Sequence, residues 1–139
     1  MTVATGELRI ETKANGGMSD LTNQVQDLVT KTGLREGIVV LFCPGSTGAL
    51  STVEYEPGLK KDIPNALERI APKDRDYAHH ATWGDDNGPG HVKATLLGPD
   101  LTVPFTKGIL TLGTWQQIVF IECDTRGRER KLVVQIIGE

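Results

Sequence analysis

The sequence predicts an α+β fold: a single domain, residues 1–139, of mainly antiparallel β-sheets in a sandwich-like arrangement with two helices. Hydrophobic residues make up 38% of the chain but aromatic residues only 5%, so Val, Ile, Leu and Ala must form the core, which suits β-sheet. Short apolar segments joined by brief turns fill the C-terminal third, and only two segments keep helical spacing. A chain of this length buries roughly 70% of its unfolded surface in one core.

The N-terminal region predicts a strand followed by a helix. Residues 6–13 alternate between apolar and charged side chains, which is typical of a half-buried strand. Ser19 is predicted to cap a helix whose apolar positions run from Leu21 to Val29. Gly33 is predicted to end that helix, because glycine readily adopts the left-handed conformation found after helix C-termini.

The next region predicts a β-hairpin and a second helix. Residues 37–43 form an apolar, β-branched run, which predicts a strand buried on both faces, and residues 46–53 predict its antiparallel return. Leu59 to Ile70 keep helical spacing. Because proline is not tolerated deep in a helix, Asp62 is predicted to be the N-cap, with Pro64 in the first turn.

The segment 72–90 shows no periodicity and contains two of the three histidines, and His91 follows it directly. Long irregular loops in compact domains are uncommon unless they are functional or disordered, so a functional loop is favoured. Five strands are predicted after it: 92–97, 101–105, 108–112, 116–123 and 131–137. Their short connections imply antiparallel neighbours, since parallel strands need long crossovers.

Composition excludes several classes of protein. The net charge of -3 and pI near 5.6 lack the basic surface on which nucleic-acid binding depends. The longest apolar stretch falls well short of the ~20 residues that span a bilayer, so no membrane partner is expected. Residues 1–17 show no signal-peptide pattern, and Cys43 and Cys123 lie in apolar runs as reduced core thiols would, which together predict a cytoplasmic protein.

The histidines are the first candidates for chemistry. His79, His80 and His91 lie within thirteen positions. Imidazole binds transition metals and titrates near neutral pH, so metal binding or catalysis is favoured over ordinary loop hydrogen bonding. His80 is interpreted as an ordinary loop residue, because neighbours on an extended chain point in opposite directions. The segment 85–87, Asp-Asp-Asn, supplies either oxygen ligands for a cation or an Asx-type turn.

Charged residues at strand ends leave alternatives open. Glu54 and Glu122 follow apolar strands and are either solvated at the rim, which is favoured, or directed into a pocket. Arg126, Arg128 and Arg130 share a face if the chain is extended, and they form either a phosphate clamp or a solvated turn. An indole that bridges two strands is the interpretation for Trp115, with packing favoured over ligand stacking.

Three groups of residues resemble one known family. The most specific is residues 108–118, GILTLGTWQQI, and the others are Asp-Tyr-Ala-His at 76–79 followed by Asp86-Asn87 and HVKATLLG at 91–98, and Ser46-Thr47 with Glu54, Asp62 and residues 67–72. In order and spacing they are similar to the YjbQ-like family, over nearly the whole chain.

The resemblance implies a homotrimer and a transferase of the thiamine-phosphate-synthase type, which joins a pyrimidine diphosphate to a thiazole phosphate and releases pyrophosphate. The implied catalytic residues are Glu54, His79, Asn87 and His91, with weaker implications for Asp62 and Glu122. Ser46, Thr47, Arg128 and Arg130 are assigned to binding the phosphorylated substrate. His79 and His91 are the implied ligands of a divalent metal ion, zinc or magnesium.

One position departs from the family pattern. Family members commonly have histidine where this chain has Gly45, so a site with three histidines is not assumed. A histidine restored at position 45 is expected to raise zinc affinity, since zinc normally takes three or four protein ligands. Two other functions stay open: a metal-assisted phosphohydrolase at the same site, and a trimer that binds a small molecule or metal without chemistry.

Overall fold

The computed structural model describes residues 1–139, which form eight strands and four helices. The strands are β1 (Thr2–Glu11), β2 (Met18–Asp20), β3 (Glu36–Phe42), β4 (Gly48–Val53), β5 (Asp100–Thr106), β6 (Ile109–Leu110), β7 (Gln117–Glu122) and β8 (Glu129–Gly138). The helices are α1 (Thr22–Thr32), α2 (Leu59–Ile70), α3 (Ala78–Trp83) and α4 (Gly88–Leu97). The α+β fold class is confirmed, and the expectation of two helices is wrong, because α3 and α4 form within the supposed loop and beyond it.

All strand pairs are antiparallel and form two sheets. The five-stranded sheet has the order β1-β8-β3-β5-β6, and the three-stranded sheet has the order β2-β7-β4. Strands β3 and β4 therefore do not form the predicted hairpin, because β4 pairs with β7 in the other sheet. The chain crosses between sheets at residues 43–47, which places this turn at the edge of the space between the two layers.

The main core lies between the two sheets and α1. The larger sheet contributes alternate residues of β1, β3, β5 and β8, and α1 contributes Val25 and Val29. Ile118 and Phe120 of β7 meet them from the smaller sheet. On the other side of the smaller sheet, Val119 and Ile121 pack against Ala94 of α4.

This layering makes β7 the strand with two buried faces, whereas β3 was predicted to have them. Every residue from Ile118 to Asp124 is buried. In β3 only Val39 and Leu41 are buried, and Phe42 is 45% exposed on the outer face of the larger sheet. No helix covers that outer face, so an apolar run alone does not identify which strand lies between two layers.

The segment predicted as a strand at 92–97 is helix α4. Pro89 stands in its first turn, where a missing N–H is tolerated and the fixed φ favours a helix. Gly90 allows the close approach to β7, because a Cβ there would lie 2.4 Å from the carbonyl oxygen of Cys123. Packing of Ala94 on the smaller sheet then favours a helix over the local β-branched pattern.

Two helices begin at residues other than those that the sequence predicted. Ser19 belongs to β2, and the carboxylate of Asp20 accepts the backbone N–H of Thr22 instead. Helix α2 begins three residues before the predicted cap at Asp62, because the carboxylate of Glu56 accepts the N–H groups of Gly58 and Leu59. Gly33 ends α1 with φ of 73°, as predicted.

The two cysteines are free and buried, as the sequence predicted. Burial raises the pKa of Cys123 to about 12, so this thiol stays protonated at neutral pH. None of the four helices has the length and hydropathy needed to traverse a bilayer.

Candidate functional site

The predicted histidine site lies at the C-terminal end of β7, where α3 and α4 pack against residues 123–125. The backbone explains the placement of these helices. A Cβ at Gly88 would lie 2.7 Å from Cβ of Tyr77, so only glycine lets the start of α4 approach the start of α3. The hydroxyl of Thr125 donates to Asp86 at 3.3 Å and links the intervening loop to the end of β7.

His79 is held between a carboxylate and an amide. Its Nε2 lies 3.2 Å from Oδ1 of Asp85 and 3.0 Å from the side-chain amide of Asn87. With the amide nitrogen facing both groups, Asn87 donates to Nε2 of His79 and to Asp85. Neutral His79 thus has a donor, and protonated His79 has a carboxylate acceptor at the same nitrogen.

This arrangement gives both protonation states of His79 a hydrogen-bond partner. A side chain with that property is suited to general acid–base chemistry, because neither state is left unpaired during proton transfer. The His91 ring lies beside it, with ring centroids 4.4 Å apart. His91 is half-buried in the first turn of α4, and its N–H donates to the carbonyl of Asn87.

His80 makes a structural contact with the start of α4. Its Nε2 accepts the N–H of Gly88 at 3.1 Å, and its ring lies 5.4 Å from that of Tyr77. It therefore fixes the start of α4. The interpretation of His80 as an ordinary loop residue on an extended chain is wrong, because His80 lies in helix α3 and makes a specific structural contact.

A cavity of about 300 Å³ lies between the turn at residues 45–48 and α4. Ser46 is exposed there, and Thr95 lines the opposite wall. His91 precedes Thr95 by four residues and so lies on the same face of α4. The structure therefore brings Ser46 to the same side of α4 as His91, at a cavity large enough for a small ligand.

Thr47 does not face this cavity as an available hydroxyl. It is buried and donates to Oδ2 of Asp124 at 2.8 Å, while it accepts from the guanidinium of Arg130 at 2.9 Å. Arg128 also donates to Oδ2 of Asp124, at 2.8 Å, and retains a 41% exposed side chain. Of the predicted substrate-binding residues, Ser46 and Arg128 are accessible, whereas Thr47 and Arg130 are enclosed.

Asp124 is the group that sequence reasoning missed. Its burial opposes the charged form, but hydrogen bonds from Thr47 and the N–H of Thr125, together with the charge of Arg128, lower its pKa below the usual value. It connects the turn at residue 47 to the end of β7 that carries the histidine site. A carboxylate directly after an apolar strand and close to an arginine-rich hairpin was the available signal.

Glu122 and Arg130 form a buried ion pair on the inner side of β7. Glu122 is completely buried, so the favoured interpretation of it as a solvated rim residue is wrong. It accepts from Arg130 through both oxygens and from the hydroxyl of Thr12 at 2.6 Å. Burial lowers the pKa of Arg130, but the bonds to Glu122 outweigh it and raise the pKa above its usual value.

Two predicted residues lie away from the histidines. Glu54 is exposed and follows β4 at the edge where Val53 pairs with Gln117, the first residue of β7. The histidines lie beyond the last residue of β7, so the strand separates them by roughly 17 Å at ~3.3 Å per residue. Asp62 is exposed in α2. One chain therefore does not bring Glu54 to the histidines, and its catalytic role stays a prediction.

The side chains at the site do not form a metal centre. No group of three or more His, Cys, Asp or Glu residues converges in an arrangement that could hold a metal ion. Nε2 of His79 already faces Asp85 and Asn87. Metal binding by His79 and His91 thus stays a prediction.

Trp115 was expected to pack between strands, but its indole is 72% exposed. The turn at 113–116 leaves the sheet before β7 begins, so the ring does not reach the core.

Known proteins resemble this chain along almost its full length. A UPF0047 protein of Methanothermobacter thermautotrophicus is 38% identical over 139 residues, which cover 100% of this chain and 95% of the relative. The UPF0047 protein YugU of Bacillus subtilis is 30% identical over 132 residues, which cover 94% of this chain and 97% of the relative.

Solved structures of similar proteins have the same fold along almost the full chain. A YbjQ-like protein of Sulfolobus solfataricus superposes with a TM-score of 0.93 at 34% identity, covering 99% of each chain. A YjbQ/UPF0047 family protein of Clostridium acetobutylicum gives a TM-score of 0.86 at 35% identity, covering 95% of this chain and 99% of the other. The family described as "UPF0047 protein YjbQ-like" matches residues 6–139. The chain therefore belongs to the YjbQ-like UPF0047 family.

Proposed function

We propose that the site around His79 and His91 is the active site of a transferase of the thiamine-phosphate-synthase type. Such an enzyme joins a pyrimidine diphosphate to a thiazole phosphate and releases pyrophosphate. The observation that carries the proposal is the pairing of His79 with both Asp85 and Asn87, 4.4 Å from the His91 ring. We also propose that the protein is cytoplasmic.

The chemical step requires a leaving pyrophosphate. As the C–O bond to the diphosphate breaks, negative charge develops on the departing oxygen, and protonated His79 supplies a proton there. The thiazole nitrogen then forms the new C–N bond. A positioned general acid typically contributes 10²–10⁴-fold in rate.

The cavity beside α4 supports a phosphorylated ligand. Ser46 offers a hydroxyl at one wall and Thr95 a second at the other. Arg128 offers an accessible guanidinium, because Asp124 holds it by one amino group and leaves its other donors free.

The homotrimer is also proposed. Phe42 and Val133 are direct cross-strand neighbours on the outer face of the larger sheet and are 45% and 38% exposed. Ile38 on the same strand is 37% exposed. Apolar side chains grouped on a face that no helix covers support contact with another copy of the chain. Light scattering at micromolar concentration that gives a monomer mass would refute the trimer.

The function is tested with the purified protein, the pyrimidine diphosphate and the thiazole phosphate. We expect release of pyrophosphate together with the coupled product, and at least a 100-fold loss with His79→Gln. Asp74→Asn, which changes an exposed residue without an ion pair, is the matched control.

The same assay separates the alternatives. Phosphate or pyrophosphate release from the diphosphate alone, without coupling, indicates the phosphohydrolase instead. Saturable binding of either substrate without turnover indicates a binding protein. Parallel reactions with a chelator and with added zinc or magnesium test the predicted metal requirement. Full coupling activity in His79→Gln would contradict the site assignment.

A further inference from the structure

The turn at residues 113–116 presents Trp115 to solvent on a braced backbone. Gln116 closes the turn, because its N–H donates to the carbonyl of Gly113 and its Oε1 accepts the N–H of Gly113, both at 3.0 Å. Its Nε2 donates to the hydroxyl of Thr52 at 3.0 Å and ties the turn to β4. The backbone of the turn is therefore held in place, while Trp115 stays 72% exposed.

The ring has no partner within the chain. Trp115 takes part in no aromatic pair, and the two cation–π contacts of the structure belong to Tyr55 and Phe120. Lys60, the cation closest in sequence to Glu54, lies over the Tyr55 ring at 4.3 Å. A large exposed aromatic side chain without an aromatic or cationic partner is typical of a binding surface, because its exposure costs free energy that burial by a ligand recovers.

An open cavity of about 360 Å³ adjoins the indole. Val53 gives it an apolar wall, and Glu54 places a carboxylate at its edge. That carboxylate takes part in no ion pair, and no lysine or arginine lines the cavity. The lining thus combines an aromatic face, an apolar wall and one uncompensated negative charge.

We propose that this cavity binds a planar nitrogen-heterocyclic cation that stacks on Trp115 and pairs with Glu54. Tryptophan is the best aromatic partner for a cation, and a delocalised organic cation loses less hydration on binding than a compact ion. A hard divalent metal ion would need six or more oxygen ligands, whereas the cavity offers one carboxylate. An anion would meet only negative charge.

Within one chain this site is separate from the histidine site. Glu54 and Trp115 flank the first residue of β7, and the histidines lie beyond its last residue, roughly 17 Å away. The inference therefore does not depend on the proposed transferase activity, and each can fail without the other.

The test is a nuclear magnetic resonance titration with 1-methylnicotinamide, a planar heterocyclic cation, and with nicotinamide, its neutral counterpart. Trp83, which is 74% exposed, supplies a matched reference, and Trp83→Phe assigns the two indole N–H signals. We expect a saturable shift of the Trp115 signal with the cation at millimolar concentration. Trp115→Ala should abolish binding, and Glu54→Gln should weaken the cation at least fivefold without changing nicotinamide. Trp83→Phe should bind as the unchanged protein does.

Several results would overturn the proposal. These are no saturable binding of the cation, equal binding of both probes, or unchanged affinity in Trp115→Ala. Trp115→Phe keeps an aromatic face and should bind the cation weakly. It replaces the alanine variant in the titration if circular dichroism shows that Trp115→Ala is unfolded. A Trp115 signal that shifts with protein concentration alone, with a lower mass for Trp115→Ala, would show that a second copy of the chain covers the indole.

Discussion

Arg130 and Glu122 are joined by a buried ion pair in which Nε of the guanidinium donates to Oε1 of the carboxylate at 2.9 Å. A second donation, from Nη2, completes a two-pronged contact. The pair connects β8 of the larger sheet to β7 of the smaller sheet, beneath the turn that carries Thr47. It therefore fixes the distance between the two layers at the edge where the candidate site lies.

Removal of one partner of the ion pair should lower the free energy of unfolding. In Glu122→Ala the Arg130 charge stays buried without its acceptor, and we expect the free energy of unfolding to fall by about 3–5 kcal/mol. Urea unfolding followed by circular dichroism measures the loss. The double variant Glu122→Leu with Arg130→Met should recover most of it, because apolar side chains of similar size replace both charges. A single variant as stable as the unchanged protein would contradict the structural role of the pair.

Asp124 should make stability depend on acid pH. Its folded-state pKa lies below the ordinary 3.8, so the folded protein binds this proton less readily than the unfolded chain. The stabilisation is complete above the unfolded pKa and is lost as the pH falls through the folded pKa. We therefore expect Asp124→Asn to be less stable at neutral pH, with the difference narrowing below about pH 4.

The check is a series of urea unfolding curves between neutral pH and pH 2.5 for the two proteins. Asp74→Asn, at an exposed position without an ion pair, is the control and should show no such narrowing. A difference between Asp124→Asn and the unchanged protein that stays constant through the acid range would mean that the ionised form of Asp124 is not the stabilising one.

The sequence predicted the positions of the strands better than it predicted which strands pair with each other. Alternation and β-branching located β1, β5, β7 and β8 to within a few residues. They did not reveal that β4 pairs with β7, because pairing depends on which face each strand buries after the chain has changed sheets. Helix α4 was missed because the contact of Gly90 with Cys123 is tertiary and leaves no local periodicity.

The sequence predicted only the part of the candidate site whose residues lie close together along the chain. His79, Asn87 and His91 come together because they lie on one short segment, so proximity in sequence sufficed. Glu54 does not join them, because its distance from the histidines is set by the length of β7. Asp124 was missed because its partner Thr47 reaches it only through the pairing of β4 with β7, which the sequence did not predict, although Arg128 lies four residues along the same connection.

His80 should matter for folding and little for chemistry. His80→Ala leaves the N–H of Gly88 without its acceptor, so we expect a loss of about 0.5–1.5 kcal/mol in the free energy of unfolding. His80→Asn offers an alternative acceptor and should recover part of it. Thermal and urea unfolding measure both variants. Unchanged stability in His80→Ala would show that water replaces this hydrogen bond at no cost.

For Gly45→His, the family resemblance and the structure favour opposite results. The resemblance predicts that a histidine restores a third metal ligand. In this chain Gly45 has φ of +148°, a conformation that L-residues rarely adopt, and a Cβ there would lie 3.1 Å from Nη1 of Arg130 with no atom of His79 or His91 within 4 Å. We expect Gly45→His to lose about 1–3 kcal/mol of stability from backbone strain and to gain no zinc affinity, since a guanidinium beside the new imidazole repels a metal ion.

Gly45→Ala is the matched control, because it shares the backbone strain but adds no imidazole. Urea unfolding should place both variants below the unchanged protein, with the histidine variant lower because its ring must also displace Arg130. Zinc titration calorimetry of all three proteins decides the metal question. A gain of an order of magnitude in Gly45→His, about 1.4 kcal/mol, would mean that the turn at residues 43–47 rearranges toward the histidines and that the site accepts a metal after all.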